Sequence, residues 1–231
     1  MAVKISEFER LRIIGSGGFS EVYQAYQPQF GRKVAVKVLN VTAGSTFDQA
    51  GFERECRTMG SVSEHPNIVT VFDSGMTDDG RPYIAMELCP STLMDQIKTR
   101  NRLPVPEVLE MGVKLCGALQ RAHEAGILHR DIKPQNIFLS AYGEPTLGDF
   151  GIASRAGDSD HEQVIALSLH YASPEVVDGD RPTAASDLFS LGATLYAAVA
   201  GRRPFAVAGS GSRADVIDRV RNHPPHPIDH P

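Results

Sequence analysis

The hydrophobic period of this chain changes once, near residue 87, and that change restricts the fold more than any other feature. Before it lie short β-branched and apolar runs at residues 11–14, 22–26, 34–39, 68–73 and 83–87, the last two joined by an Asp79-Gly80 turn signal. One helical stretch, 52–62, interrupts them. Past residue 90 the apolar positions recur at helical spacing: Val108, Met111, Leu115, Leu119 and Ala122 make one buried stripe, stopped by Gly126. Further helices are expected over 183–200, ending at Gly201, and over 213–222. Between the 108–122 stripe and the 183–200 helix, residues 137–139 and 145–147 flank a Tyr142-Gly143 turn and predict a small hairpin. Strands first and helices afterwards describe an α+β chain in which a β-rich lobe precedes an α-rich one.

Composition excludes several alternatives. The 231 residues are 42% hydrophobic with ten Phe and six Tyr, enough for a full core in one domain or two closely joined lobes. The longest apolar run, Leu191 to Ala200, is broken by Gly192 and Thr194 and falls short of the roughly 20 residues of a spanning helix. Met1 to Arg10 alternates charge with apolar residues, unlike a cleavable signal, so the chain is expected to be soluble and cytoplasmic. A net charge of −5 without a basic patch argues against nucleic acid as a partner. Cys56, Cys89 and Cys116 have no metal-binding spacing and read as reduced thiols filling small apolar sites.

Three stretches carry chemistry. Gly15-Ser16-Gly17-Gly18-Phe19-Ser20-Glu21-Val22 lies between two strands, where small residues let backbone N–H groups approach phosphate oxygens. In Val34-Ala35-Val36-Lys37 the strand alternation puts Ala35 and Lys37 on the face opposite Val34 and Val36. A cation facing into a lobe needs a carboxylate or phosphate partner. Glu55, near the middle of the 52–62 helix, is the first choice, with Glu53 the fallback. Most specific is His129-Arg130-Asp131-Ile132-Lys133-Pro134-Gln135-Asn136, followed by Asp149-Phe150-Gly151. Phosphoryl transfer asks a protein mainly for positioning and charge stabilisation. Asp131 can hold a nucleophilic hydroxyl and accept its proton, Lys133 can approach the transferred group, and Asn136 and Asp149 offer oxygen ligands suited to hard Mg²⁺.

Together with Ser173-Pro174-Glu175, these stretches resemble the bacterial eukaryotic-like Ser/Thr protein kinases, the Hanks type, over residues 8–222, and are similar to actinobacterial members. The resemblance implies a bilobal fold: N-lobe 1–86, hinge 87–89 and C-lobe 90–231. It implies ATP and Mg²⁺ or Mn²⁺ as cofactors and proteins bearing Ser or Thr as substrates, Lys133 favouring these over Tyr. By position, Ile14, Gly15, Gly17, Gly18, Val22 and Ala35 resemble the nucleotide-binding residues, and Lys37 resembles the lysine that pairs with Glu55 and the α/β-phosphates. Met86 resembles the gatekeeper, Glu87 to Cys89 the adenine-binding hinge, Asp131 the base, and Asn136 and Asp149 the metal ligands. Asp187 resembles the buried aspartate that braces the catalytic loop, while Met59, Val71, His129 and Phe150 correspond to an apolar spine linking the lobes.

Three departures from that pattern shape the remaining expectations. Ser20 replaces a third glycine, as bacterial relatives commonly have it. The activation segment, 149–175, contains no threonine: the usual Gly-Thr pair reads Leu167-Ser168, and the usual phosphothreonine positions fall on Asp160 and Glu162. Arg130 resembles the arginine that grips such a phosphate, so an acidic side chain, first of all Glu162, is expected to take its place. Lastly, the family's C-lobe continues past the 213–222 helix, where an arginine usually meets Glu175. A fragment of a longer protein is therefore expected, with an uncovered apolar face near Leu191 and self-association, in the simplest case a homodimer. The alternative to an active kinase is a pseudokinase, an ATP-binding scaffold disabled by the short C-lobe.

Overall fold

Alternation along one strand separates two cores. The computed structural model describes residues 3–17, 20–40, 49–150, 169–206 and 212–228, apart from the side chain of Glu55. Strands β1 (Glu9–Ser16), β2 (Ser20–Gln27), β3 (Arg32–Leu39), β4 (Val71–Met76) and β5 (Pro82–Glu87) form one antiparallel sheet in the order β1-β2-β3-β5-β4. In β3, Val34, Val36 and Val38 are fully buried on the outer face, in a cluster with Ile5, Phe8, Tyr23 and Tyr83. Leu39 joins the opposite cluster with Phe52, Cys56, Met59 and Val62 of helix α1 (Gln49–Val62). Period-2 geometry gives Ala35 and Lys37 that same inner face. The alternation read from sequence is therefore the one the sheet uses.

The strand expected over 68–73 begins three residues later, at Val71, and the reason is a competing set of hydrogen bonds. Val69 N donates to Leu147 O and Leu147 N to Asn67 O, both at 2.8 Å, while the Asn67 amide donates to Pro145 O at 2.8 Å. Residues 67–69 thus stitch the first lobe to the second instead of extending the sheet.

The second lobe opens with β6 (Ser91–Thr92) and helix α2 (Leu93–Arg100), followed by α3 (Val105–Glu124), β7 (Ile137–Leu139) and β8 (Pro145–Leu147). Helices α4 (Pro174–Val177), α5 (Ala184–Ala200) and α6 (Arg213–Asn222) complete the described elements. The short strands pair in the order β6-β7-β8, confirming the hairpin. Helix α2 was not foreseen: it buries only Leu93, so it has no apolar stripe, and a reciprocal cap between Thr92 and Asp95 sets its start. Equivalent caps start α5 (Thr183, Ser186) and α6 (Ser212, Asp215). The stripe on α3 packs as read, with Leu115, Ala118, Leu119 and Ala122 fully buried. A single cluster then runs across both lobes, from Leu39, Met59 and Ile84 to Leu115, Ile132, Leu147, Phe150 and Leu191.

The expected bare face near Leu191 is corrected in detail. Leu191 is 2% exposed, inside that cluster, and the uncovered residue on α5 is Leu188 at 51%. Beyond α6 the chain turns back along α5: Tyr196 Oη donates to His226 O at 2.6 Å and Arg202 donates to Pro227 O at 2.9 Å. Glu175, expected to lack its usual arginine partner, accepts a hydrogen bond from Ser186 Oγ at 2.7 Å.

Two consequences of this packing are testable. Gly201, at the end of α5, has φ 68, and a Cβ there would overlap the Asn101 carbonyl oxygen. Left-handed strain alone is worth about 1–2 kcal/mol for a residue with a side chain. Gly201→Ala is expected to lose at least that much stability by denaturant titration, whereas Gly80→Ala, at φ 79 with nothing nearby, loses the strain term only. The second concerns His129, buried between Phe150 and Gly148, whose ring Nε2 lies 2.9 Å from Gly148 O. Burial holds its pKa below the ordinary histidine value despite the nearby Asp187. Folding therefore requires the neutral ring, and the stability it contributes is complete above about pH 6.5 and lost as pH falls below that. His170, lowered by burial and Arg203, adds in the same direction. The melting temperature should decline between pH 7 and pH 5, before carboxylates protonate; a flat profile there would contradict this.

Candidate active site

The site lies where the inner face of the sheet meets β7 and β8. The β1–β2 turn is closed by Gly17 N donating to Ser20 O at 2.9 Å, and Val22 is paired with Gly15 on one side and Lys37 on the other. Across the sheet Ala35 pairs with Met86, which places a small residue and a half-buried thioether side by side. Ile14, 46% exposed, lies at the irregularity of β1 between Ile13 and Gly15. Glu87 N donates to Thr70 O at 2.9 Å, so that amide is engaged within the protein. The Cys89 thiol is pushed up to about 11 by burial and the adjacent Glu87 charge, which keeps it a neutral thiol.

Among the described side chains, Lys37 pairs with a carboxylate of the second lobe. Its Nζ lies 2.8 Å from Asp149 Oδ1, with 10% and 28% of the two side chains exposed. Burial would raise the Asp149 pKa, but the charge and hydrogen bond of Lys37 outweigh it and hold the carboxyl below the usual value. Asp149 itself has φ 59, a left-handed turn that aims the side chain back towards β3. The fallback partner Glu53 is out of the site: half exposed, it accepts from Gln49 at 3.1 Å and lies 3.9 Å from Arg57.

Around Asp131 the contacts are local. Lys133 Nζ is 2.8 Å from Asp131 Oδ2, and Asn136 Nδ2 donates to Asp131 O at 2.7 Å and to Oδ2 at 2.9 Å. Asn136 N donates to Lys133 O at 2.9 Å and Gly148 N to Asn136 O at 3.1 Å, tying this loop to the segment that carries Asp149. With its amide nitrogen directed at Asp131, Asn136 has its side-chain oxygen, and Asp149 its Oδ2, without a hydrogen-bond partner among the described residues. One amide oxygen and one carboxylate oxygen fit magnesium, which takes few protein ligands and fills its shell with water and phosphate oxygens.

The brace behind this loop is Asp187, on the first turn of α5 and 1% exposed. Its Oδ2 accepts from His129 N and its Oδ1 from Arg130 N, both at 2.8 Å, and His123 Nε2 lies 2.8 Å from Oδ2. These bonds hold Arg130 at φ 66. Met59, Phe150 and Val71 pack in the same cluster, and the His129 and Phe150 rings sit 4.6 Å apart, as the spine resemblance implied. His123 was missed from sequence. It closes the last turn of α3 and reads as a helix end, and its partner lies 64 residues on, beyond any local pattern. Gly18, Asp160, Glu162 and Ser168, with the side chain of Glu55, lie outside the described residues. The structure brings together Lys37, Asp131, Lys133, Asn136 and Asp149.

Among the described residues no helix is long and apolar enough to cross a membrane. Comparison with known proteins gives one consistent result. The protein kinase domain family matches residues 8–226. The chain is 47% identical over 200 residues to the serine/threonine-protein kinase PknK of Mycobacterium tuberculosis, covering 86% of this chain and 18% of that protein. It is 38% identical over 224 residues to the probable serine/threonine-protein kinase SCO3848 of Streptomyces coelicolor, covering 93% of this chain and 33% of that one. The chain thus spans a third or less of the length of these relatives. Sheet, brace, paired carboxylates and family match lead to one assignment: this chain belongs to the protein kinase family.

Proposed function

We propose that the chain is the catalytic domain of a serine/threonine protein kinase, transferring the γ-phosphoryl group of ATP to Ser or Thr hydroxyls of proteins. Protein kinases use ATP and a divalent metal. The observation that carries the finer reading is the meeting, across the two lobes, of the Lys37–Asp149 pair and the Asp131, Lys133 and Asn136 cluster.

In this reading the N-lobe spans 1–86, residues 87–89 are the hinge and 90–231 form the C-lobe. Ile14, Val22, Ala35 and Met86 offer an apolar wall to adenine, and the glycine turn at 15–18 offers backbone amides to the phosphates. Asn136 and Asp149 would hold magnesium, which would neutralise phosphate charge. Lys37, already fixed by Asp149, is oriented to bind the α- and β-phosphates, with Glu55 as a second carboxylate. Asp131 holds the substrate hydroxyl and receives its proton. Asn136 fixes the Asp131 carboxylate from the other side, so the oxygen facing the hydroxyl is set before substrate arrives. Lys133, 2.8 Å from the same carboxylate, offsets negative charge on the phosphoryl group as it passes.

Arg130 Nε is buried with no hydrogen-bond partner among the described residues. We infer that an acidic side chain of the activation segment, Glu162 first and Asp160 second, supplies the anion that a phosphothreonine supplies elsewhere, with Ser168 in the place of the usual threonine.

Incubating the chain with labelled ATP and a generic basic protein tests the assignment directly. Asp131→Asn should lower transfer by about 10²- to 10⁴-fold while nucleotide affinity stays close to wild type. Lys37→Met should weaken both. Wild-type turnover in the Asp131 variant would end the assignment. Phosphatase-treated protein should keep its activity, and Glu162→Gln should reduce it in a salt-sensitive way, because a carboxylate carries one charge and two acceptor oxygens against roughly −1.5 to −2 and three for a phosphate. Loss of all activity on phosphatase treatment would exclude the acidic substitute.

A further inference from the structure

A polar network on the outer face of the sheet reaches the root of the glycine turn from two strands away. Ser16, Glu21, Val38 and Tyr83 are successive register partners across β1, β2, β3 and β5. Arg81, just before β5, extends over the end of β3, and its terminal nitrogen lies 3.0 Å from Glu21 Oε2. Its Nε lies 3.0 Å from Asp79 Oδ2, so one guanidinium bridges the β4–β5 turn and β2. Tyr23 Oη donates to the same Glu21 oxygen at 2.9 Å.

The turn that carries Arg81 is itself rigid. Thr77 N donates to Arg81 O at 2.8 Å, Arg81 N donates to Thr77 Oγ1 at 2.9 Å, and Thr77 Oγ1 donates to Asp79. Asp78 N donates to Lys4 O at 3.0 Å, which anchors the turn to the segment whose Ile5 and Phe8 cap the outer core. About a quarter of the Arg81 and Glu21 side chains is exposed, 23% and 28%, so the pair is screened less than a surface bridge. Burial alone would lower the Arg81 pKa, yet Glu21 and Asp79 raise it, and burial with the Glu21 hydrogen bond raises that of Tyr23. The guanidinium and phenol both remain donors to Glu21.

Glu21 is the last outward residue before Val22, and Val22 is paired with Lys37 on the nucleotide face. Outer and inner faces share one backbone here, so a tether on Glu21 fixes where the glycine turn leaves the sheet. We propose that Arg81 is a positioning residue for nucleotide binding: through Glu21 it holds the β2 root of the phosphate-binding turn at a fixed place above Lys37. This rests on the reading of that turn as the ATP phosphate site. Arg81 touches neither nucleotide nor substrate, so its effect is on how much of the time the turn is in its binding position.

The effect should appear in affinity and not in the chemical step. Arg81→Gln is expected to raise the dissociation constant for Mg-ATP, and KM for ATP with it, about two- to fivefold, leaving kcat at saturating ATP within about twofold. The KM for protein substrate should not move. Glu21→Gln cuts the tether from the other end without altering the β4–β5 turn and should give the same split. The double variant should be no weaker than either single one, because both remove one interaction. Should Arg81→Gln fail to fold, Glu21→Gln alone reads the effect. Unchanged ATP affinity in Glu21→Gln, a fall in kcat with KM intact, or additive losses in the double variant would each overturn the proposal. Direct binding separates this from the functional reading. A wild type that binds Mg-ATP but transfers no phosphate sinks the kinase assignment and leaves the affinity test standing, and one that binds no ATP overturns both.

Discussion

One buried carboxylate organises the catalytic loop. Asp187 is 1% exposed, and an isolated charge at that depth would be prohibitively unfavourable. It is tolerated because two backbone N–H groups and the His123 ring converge on it. The same bonds work in reverse on the backbone: satisfying Asp187 fixes residues 129 and 130 and holds Arg130 in a left-handed turn that a non-glycine residue avoids by about 1–2 kcal/mol. From that turn the next residues are committed. Asp131 faces the cleft, Ile132 enters the core, Lys133 returns to Asp131, and Asn136 closes the loop on the Asp131 carbonyl. Helix α5 supplies the brace in its first turn, set by the Thr183–Ser186 cap, so a local helix-start signal determines where a distant loop sits.

The other half of the site depends on strand period. Only an alternation of two can bury three valines on one face of β3 while keeping Lys37 on the other. A one-residue slip of β3 would place a lysine in the outer core, next to Tyr23 and Tyr83, and a valine in the cleft. The cost of that error makes the register secure, and with it the pairing of Val22 to Lys37 and of Ala35 to Met86.

Much of this was readable because the informative residues are close in sequence. The β3 alternation, the α3 stripe and the run from His129 to Asn136 are local patterns, and each predicts its own geometry. What escaped has a different origin. Helix α2 buries a single leucine and is specified by its cap. Residues 68 and 69 read as the start of a strand, but Ile68 forms only an isolated bridge to Leu147 and Val69 N donates to Leu147 O of β8. Among the described side chains, the carboxylate paired with Lys37 comes from Asp149, 112 residues away, whereas helical spacing pointed to Glu53 or Glu55. His123 and Arg81 act through partners 64 and 60 residues distant. Spacing along the chain carries no information about such pairs until the two lobes are joined.

The two carboxylates of the cleft are neutralised in unlike ways, and the difference bears on how the site is assembled. Asp131 is paired with Lys133, two residues on, within one loop of the second lobe. That pair needs only the loop. Asp149 is paired with Lys37 from the first lobe, so it forms only when sheet and loop approach. Its lowered pKa records the same coupling, since burial alone would have raised it. Separation of the lobes would leave Lys37 on an inner sheet face and Asp149 at the cleft floor, each partly desolvated and without the other. Breaking such a pair costs more than its formation gains, which biases the lobes towards contact. The ion pair therefore ties the inner face of β3 to the loop after β8, and it is this contact between the lobes that outweighs burial and lowers the Asp149 pKa.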